Sequence, residues 1–275
     1  MKNLNAETVN GFGDEWSRFD QSGAPEQELS GMFYRYFNIF PFEIITQQSK
    51  GFDLGCGSGR WARLFADNVG ELHCIEASEK ALEVAKRNLS EKDNCVFHLA
   101  SVDEMPLEDN SMDFGYSLGV LHHVPDTFEG IKACVSKLKR GAPLLLYIYY
   151  AFDNRPPWFA KLWKCTELFR SIISRLPYGL RYWITQLIAL TVYYPLAKSA
   201  LLLEKIGFTV DSFPLAGYRK ISFYSMRTDA LDRFGTQLER RFTASEIKEM
   251  MERAGLSMIK FSDSAPYWCA IGYKK

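Results

Sequence analysis

The sequence predicts an α/β fold: a doubly wound, mostly parallel sheet of seven strands, with an N-terminal helical cap and a helical insertion after the fifth strand. Three observations predict it. Short apolar runs alternate with amphipathic stretches between residues 51 and 150, which is typical of a parallel sheet covered on both faces. The first apolar run leads directly into closely spaced glycines and then into a helical pattern. The same alternation resumes at residue 243.

The first five strands are predicted from the apolar runs of this region. The runs cover residues 51–54, 71–76, 95–100, 112–118 and 143–150. Helices are predicted where apolar residues recur at helical spacing, over residues 60–68, 78–89 and 125–138. Ser78 is the expected N-cap of the second helix, because its side chain can accept a hydrogen bond from a backbone N–H of the first turn.

The C-terminal part predicts one more helix and two more strands. Thr243 and Glu246 have the spacing of a capping box, and the helix is expected to end at Gly255. Strands are predicted over residues 256–261 and 268–273. The link between them is too short for a crossover, so the pair is expected to be antiparallel.

Two segments lie outside the alternation. Residues 1–50 are predicted to form the N-terminal cap, with a helical pattern over residues 25–48. Residues 151–242 are predicted to form a mainly helical insertion, which separates the core of residues 51–150 from its completion in residues 243–275.

The insertion has an unusual composition. Residues 158–206 are rich in Trp, Tyr, Leu and Ile and contain seven basic but only two acidic residues. The longest uncharged run, residues 182–197, has 16 residues. A membrane span needs about 20 apolar residues, so this run predicts a helix of the insertion. The stretch from 217 to 235 is predicted to be irregular.

Composition excludes several classes of protein. The 275 residues include 33 Lys and Arg and 33 Asp and Glu, for a formal net charge of zero. A general nucleic-acid binder would need a basic field. The six cysteines form no CxxC pair and show no metal-ligand spacing, so we expect separate thiols in a reducing cytosol and no metal site. The N-terminus has no apolar core, so no signal peptide is predicted.

The glycine-rich segment after the first strand carries the chemistry. It reads Asp53-Leu-Gly55-Cys-Gly57-Ser-Gly59-Arg60. Glycines permit positive φ and let a ligand lie against the backbone, and backbone N–H groups at a helix start face such a ligand. The dinucleotide fingerprint GxGxxG would have a glycine where Arg60 stands. Asp53 is also unfavourable beside a pyrophosphate and favourable beside an amino group, which disfavours an NAD-dependent oxidoreductase.

Two further acids follow the next two strands. Glu76 lies at the end of the second strand, 17 positions after Gly59, where an acid can accept hydrogen bonds from both ribose hydroxyls. Asp103 follows the third strand and could accept from an exocyclic adenine amine. Acids at successive strand ends converge on the edge of the sheet where ligands bind.

These motifs, with Ser101-Val102-Asp103 and Leu118-Gly119-Val120-Leu121-His122-His123, resemble those of class I S-adenosylmethionine-dependent methyltransferases of the small-molecule type. The resemblance covers about residues 45–150, and the C-terminal helix and strand pair fit it too. It implies a Rossmann-like methyltransferase fold, S-adenosylmethionine as cofactor and S-adenosylhomocysteine as product.

The resemblance also implies roles for individual residues. Asp53 would lie near the methionine amino group and Glu76 would hold the ribose hydroxyls. The other implied cofactor contacts are Gly55, Cys56, Gly57 and Gly59 at the methionyl and ribose portion, Ala77, Val102 and Asp103 at the adenine, and Leu118 at the methionine part. In the N-terminal segment, Trp16 and Phe19 would close over the methionyl side and Arg18 would meet its carboxylate.

Catalytic and acceptor residues are predicted next to the cofactor site. His122 and His123 follow the fourth strand, where a histidine can act as general base near pH 7; the open alternative is capping or packing. Tyr147, Tyr149 and Tyr150 could line the acceptor site, the alternative being sheet packing. Strand alternation puts the first two on one side and Tyr150 on the other.

The function predicted is methyl transfer from S-adenosylmethionine to an O, N or C atom of a small, aromatic or apolar metabolite by a cytoplasmic enzyme. Nucleic-acid methylation is disfavoured by the net charge and by Ser117-Leu-Gly-Val, which stands where an Asn/Asp-Pro-Pro-Tyr motif would be. Four alternatives remain: a non-catalytic binder of the cofactor, another reaction of that cofactor, methylation of a protein, and a lipid or quinone methyltransferase at the membrane surface.

The insertion is expected to be the acceptor lid, with residues 217–235 as its closing loop. Its basic and aromatic residues, in 158–206, leave open a peripheral membrane contact, since such helices lie in membrane interfaces. A solvated cap or a homodimer contact is the other interpretation.

Overall fold

The computed structural model describes residues 3–275. The chain divides into two compact units. The first, called the core unit, contains the residues up to Asp20, Leu29–Ala151 and Leu238–Lys275. The second, called the helical unit, contains Gln21–Glu28 and Phe152–Gln237.

The core unit is built on the predicted seven-stranded sheet. Its strands are β1 (Lys50–Leu54), β2 (Glu71–Glu76), β3 (Cys95–Leu99), β4 (Phe114–Leu118), β5 (Pro143–Tyr147), β6 (Leu256–Phe261) and β7 (Cys269–Lys274). They lie in the order β3-β2-β1-β4-β5-β7-β6. The predicted fold class is confirmed.

Strand directions follow from the connections. β1 to β5 are parallel, whereas β7 is antiparallel to both β5 and β6. The antiparallel final pair is therefore confirmed. The order of the strands reverses between β1 and β4, and the carboxyl edge at such a switch point is where open α/β sheets bind ligands.

Helices cover the sheet on both faces. In the core unit they are α1 (Ala6–Arg18), most of α2 (Glu26–Tyr36), α3 (Ala62–Phe65), α4 (Glu79–Asn88), α5 (Thr127–Lys137) and α10 (Ala244–Arg253). Helices α6 to α9 belong to the helical unit. Leu144 and Leu146 of β5 belong to one apolar layer and Leu145 to the other. All three are fully buried, as expected for a strand covered on both sides.

The predicted N-cap side chains mark the starts of two helices. The Ser78 side chain accepts from Ala81 N at the start of α4. Thr243 and Glu246 form the predicted capping box of α10. The predicted helix over residues 25–48 is too long, since α2 ends at Tyr36 and Pro41 follows. A proline disfavours helical backbone in the residue before it.

The helical unit contains α6 (Pro157–Ile173), α7 (Tyr178–Ile188), α8 (Tyr194–Lys205) and α9 (Phe223–Gly235). A π-helical turn, Ala189–Tyr193, joins α7 to α8. Its apolar core contains Met226, Ala230 and Phe234 of α9, and α6, α7 and the π-helical turn all pack on that helix.

The expectation of an irregular closing loop over residues 217–235 is wrong. The Ser222 side chain accepts from Ser225 N and begins α9, and Met226, Ala230 and Phe234 recur at intervals of four residues. The polar residues between them concealed this helical pattern.

The run from α7 to α8 is also longer than the sequence predicted. Tyr178–Lys205 forms 28 consecutive helical residues with a mean hydropathy of 1.3 in its most apolar window. By length and composition alone it could cross a membrane. The predicted length of 16 residues counted only the uncharged run, whereas the helix continues past Lys198.

Candidate active site

The loop after β1 is held by glycines in a conformation that other residues rarely adopt. Gly55, Gly57 and Gly59 have φ angles of +75°, +55° and +76°. A Cβ on Gly57 would lie 2.9 Å from Trp16 Nε1. The backbone N–H groups of Gly55 and Cys56 both donate to Ile75 O, at 2.8 and 3.0 Å. The loop is therefore fastened to the end of β2.

Glu76 is a buried carboxylate with both oxygens bound to backbone. Gly57 N donates to Oε2 at 3.0 Å and Ser78 N donates to Oε1 at 2.8 Å. Burial raises the pKa of this carboxyl, and the N–H groups of Ser78, Gly57 and Ala77 oppose the rise. Each oxygen keeps a second lone pair, so the fixed carboxylate can still accept two hydroxyl hydrogen bonds.

Asp53 is the second buried acid of the site. It belongs to β1 and is 1% exposed. Burial raises its pKa well above the ordinary value, the Tyr116 hydroxyl opposes that rise, and the charge of Glu76 adds to it. Within residues 3–275 its Oδ2 atom makes no hydrogen bond. A buried acid of this kind needs a partner, and a cationic or amino group would supply one.

The adenine-side candidates lie in a 3-10 turn, Val102–Glu104, after β3. Val102 is buried, whereas Asp103 is exposed. The Asp103 carboxylate accepts from Asn3 N at 2.9 Å and from the Ser101 hydroxyl at 2.8 Å. The contact with Asn3 joins residues 100 positions apart, and no local pattern in the sequence predicts it. Ala77 and Leu118 lie at the ends of β2 and β4.

Helix α1 brings one of its two predicted residues to the loop. The Trp16 indole lies against Gly57, and the Arg60 guanidinium lies 5.7 Å from the Trp16 ring and 4.1 Å from Trp61. Arg18 instead pairs with Asp14 on an exposed part of the helix, at 2.8 Å. Phe19 is buried. In the sequence Arg60 stands out only as a missing glycine, and its contacts with these two indoles were not predicted.

The two histidines form a 3-10 turn with Leu121 and are both buried. His123 Nδ1 lies 2.7 Å from Leu238 O. Because a carbonyl only accepts, this nitrogen carries the proton and Nε2 of the neutral ring does not. His122 Nδ1 accepts from Tyr149 N at 3.4 Å. Burial holds the pKa of His122 well below its usual value, and the charges of His123 and Arg241 lower this pKa further.

Aromatic rings adjoin the histidines. His122 stacks on Tyr149 with centroids 3.8 Å apart, and Tyr149 lies 5.6 Å from Tyr147. Tyr147 meets Tyr36 edge-on at 5.0 Å. Tyr150 contacts Tyr267 instead, at 5.8 Å.

Sequence reasoning missed three members of this group. Tyr36 also contacts Trp61, with centroids 4.8 Å apart, and the Arg241 guanidinium lies 4.9 Å from the Tyr149 ring. Tyr36 belongs to α2, Trp61 directly precedes α3, and Arg241 lies shortly before α10. Only the fold brings these distant segments to Tyr147 and Tyr149.

Among residues 3–275, no group of three or more His, Cys, Asp or Glu side chains is arranged to hold a metal ion.

Comparison with known proteins shows what the central part of the core unit is similar to. Residues 52–146 match the family described as a methyltransferase domain. Within these residues the chain is similar to the class I S-adenosylmethionine-dependent methyltransferases. The cofactor of this methyltransferase family is S-adenosylmethionine, and the matched residues contain the glycine loop, both buried acids and the histidine pair.

Curated relatives match this chain over part of its length. A ubiquinone biosynthesis O-methyltransferase of Nitrosospira multiformis is 31% identical over 107 residues, which cover 38% of this chain and 43% of the relative. A demethylmenaquinone methyltransferase of Staphylococcus aureus is 30% identical over 132 residues, which cover 42% of this chain and 54% of the relative. The chain thus matches about half the length of these relatives.

Solved structures share the fold of this chain at low sequence identity. The YcgJ protein of Bacillus subtilis has a TM-score of 0.50 at 16% identity, covering 86% of this chain and 70% of its own. An S-adenosylmethionine-dependent methyltransferase of Thermotoga maritima has a TM-score of 0.50 at 15% identity, covering 96% and 100%.

Proposed function

We propose that the protein transfers the methyl group of S-adenosylmethionine to an O, N or C atom of a small aromatic or apolar metabolite. The observation that carries the proposal is the pair of buried acids beside the glycine loop. Glu76 is fixed by two backbone N–H groups, and Asp53 is buried with an oxygen that makes no hydrogen bond within residues 3–275.

The residues present fit the cofactor. Asp53 matches the amino group of its methionine portion, Glu76 matches the two ribose hydroxyls, and the glycines leave backbone open to close approach. Cys56, Ala77, Val102, Asp103 and Leu118 would complete the contact, with Trp16 over Gly57. Arg18 would first have to leave Asp14.

When bound, the cofactor supplies a methyl group activated by a sulfonium. The protein's part is then to hold the acceptor atom in line and to exclude water. Where that atom is a hydroxyl or an acidic carbon, a base must take its proton. His123 presents the tautomer with an unprotonated Nε2, and neutral His122 stacks against Tyr149, so the base is proposed to come from this pair.

The aromatic group supports an apolar or planar acceptor. Tyr147 and Tyr149 of the core unit, with Tyr36 and Trp61, offer ring faces and edges to which a planar molecule can pack. Tyr150 contacts Tyr267 instead, so it is the weakest of the three candidates for a residue of the acceptor site. A lipid or quinone acceptor is a second candidate, favoured by the names of the two curated relatives, which are both enzymes of quinones.

A cytoplasmic location is part of the proposal. It is supported by the six cysteines, all of which are free thiols in the structure, as expected in a reducing compartment.

The test combines the purified protein, methyl-labelled S-adenosylmethionine and an extract of the source cells, followed by separation into organic and aqueous phases. Label in an extracted metabolite supports methyl transfer, and its phase tells an apolar acceptor from a polar one. Glu76→Ala protein is the matched control and should transfer little label. Cofactor binding by calorimetry without any labelled product would instead favour a non-catalytic binding protein.

A further inference from the structure

The outer face of α7 and α8 carries a stripe of large apolar side chains. Leu180, Trp183, Leu187, Leu190 and Tyr194 follow one another at intervals of three and four residues, which places them on one side of a helix. They are 51%, 70%, 59%, 55% and 42% exposed. Helix α6 repeats the pattern with Trp158, Leu162, Phe169 and Ile172, which are between 46% and 60% exposed.

The inner face of the same helical run holds small and polar residues. Thr185, Ala189, Ala197 and Ala200 are fully buried. Arg181 is 5% exposed and donates to the carbonyl oxygens of Ser174 and Leu176. A helix of a water-soluble domain normally places its large apolar side chains inward. Here the packing within the helical unit uses these small residues together with Tyr193, Ile184 and Ile188, and the residues of the outer stripe lie outside it.

The exposed charges on these helices and on the turn after α6 are all positive. Lys161, Lys164, Arg175, Lys198 and Lys205 are exposed. No carboxylate within residues 3–275 pairs with any of them. The two acids of residues 158–206 are already neutralised: Glu167 by Arg170 and Arg233, and Glu204 by Arg219 and Lys220.

We propose that these outer faces of α6, α7 and α8, called the docking face, bind the surface of an anionic phospholipid bilayer. The apolar stripes would enter the boundary between headgroups and acyl chains, with Trp158 and Trp183 at the interface, where tryptophan is enriched. The lysines would meet lipid phosphates, each contributing through short-range attraction. The inference concerns binding alone and holds whether or not the protein transfers a methyl group.

The positive charge of the docking face favours an anionic bilayer over a second copy of the chain as its binding partner. A two-fold contact would bring the same face of two copies together and would oppose unpaired lysines to unpaired lysines. Anionic headgroups complement them instead. The helix lies along the interface and does not cross it, because its inner face holds a buried, hydrogen-bonded Arg181 and remains packed on α9.

The experiment is sedimentation of the full-length protein, without cofactor, with vesicles of phosphatidylcholine alone or mixed equally with phosphatidylglycerol. We expect binding to the mixed vesicles, at least tenfold weaker binding to phosphatidylcholine, and quenching of tryptophan fluorescence by lipids brominated in the acyl chain. The variant Leu187→Gln/Leu190→Gln should bind the mixed vesicles at least tenfold more weakly. A second variant, Lys161→Gln/Lys164→Gln, should lose the preference for anionic lipid.

The matched control is Tyr34→Gln/Met258→Gln, which removes two apolar side chains of the core unit that are 69% and 72% exposed. It should bind as the wild type does, and circular dichroism should show all variants folded. Equal binding by the Leu187→Gln/Leu190→Gln variant and the wild type would overturn the proposal. So would an absence of vesicle binding, a dimer that this variant abolishes, or protein that resists carbonate extraction as a spanning helix does.

Discussion

Asp53 and Glu76 illustrate how two acids of one site can depend on different surroundings. Both are buried, and burial raises the pKa of each. Glu76 is compensated by N–H groups of the chain itself, whereas the Oδ2 atom of Asp53 makes no hydrogen bond within residues 3–275. Glu76 is therefore held in one orientation in the free protein, whereas the burial of Asp53 destabilises the free protein.

The first prediction concerns Glu76. Glu76→Ala removes hydrogen bonds to a charged group, which are worth about 1–3 kcal/mol, so cofactor affinity should fall roughly 5- to 150-fold. Calorimetric titration with S-adenosylmethionine measures it. Glu79→Ala, an exposed change three residues further along, is the control. Equal affinities for Glu76→Ala and the wild type would remove Glu76 from the ribose site.

The second prediction concerns stability and pH. An acid whose pKa is higher in the folded than in the unfolded chain binds its proton more tightly when folded, so stability falls as pH rises above the unfolded value, which is near 3.8 for Asp53. Asp53→Asn should therefore raise the melting temperature of the cofactor-free protein at pH 7. This gain should shrink towards pH 4, where the wild-type carboxyl is protonated.

Differential scanning calorimetry of both proteins from pH 4 to 8 tests the second prediction. The same substitution should weaken S-adenosylmethionine binding, because the amide no longer attracts an amino group by charge. A melting temperature that drops equally at every pH would show that Asp53 stabilises the free protein.

Helix α1 shows how one element completes a site built by others. Its Trp16 covers Gly57, and the space for a Cβ there is taken by the indole. The contact brings together the N-terminal helix and the loop between β1 and α3. The glycine thus serves two purposes, since it adopts positive φ and accepts a neighbouring ring.

The third prediction separates these two purposes. Gly57→Ala should destabilise the protein by about 1–2 kcal/mol through its left-handed backbone, and further through contact with Trp16. In a Trp16→Ala background only the backbone part should remain. Chemical denaturation of the four proteins gives the coupling energy. Strictly additive effects would mean that α1 does not rest on the loop in solution.

At the scale of the whole molecule, the candidate cofactor residues all belong to the core unit. The chain leaves this unit after Ala151 and returns at Leu238. Ala151 N donates to Phe242 O at 2.9 Å, so the chain leaves and re-enters at neighbouring points. An insertion with adjacent ends can be removed without stretching the sheet.

The fourth prediction follows from this arrangement. Replacing residues 153–236 with a short Gly-Ser linker should leave binding of S-adenosylmethionine within about threefold of the wild type, as calorimetry would show. The proposal that this segment is the acceptor lid predicts that transfer to the extracted metabolite is lost. Continued transfer at the wild-type rate would contradict the lid, and loss of cofactor binding would contradict the independence of the core unit.

Signals that act within a few residues predicted much of the fold. The apolar runs predicted β2 and β6 with their observed bounds, and Ser78 and Thr243 predicted where two helices begin. The candidate acids could be found because parallel strands end at one edge. The contacts of Asp103 with Asn3, and of Tyr147 with Tyr36, could not be found, since nothing local specifies which distant segments meet.

The sequence by itself determined the order of strands and helices in the core unit, the glycine loop and its acids, because each depends on neighbouring residues and on strand direction. Only the tertiary structure decided which side of each helix is buried. In α7 and α8 an apolar stripe of fixed spacing is visible in the sequence, but burial went to Thr185 and the alanines. The run packs on α9 through the side that carries Thr185, Ala189 and Tyr193, so Trp183, Leu187 and Leu190 on the other side face outward.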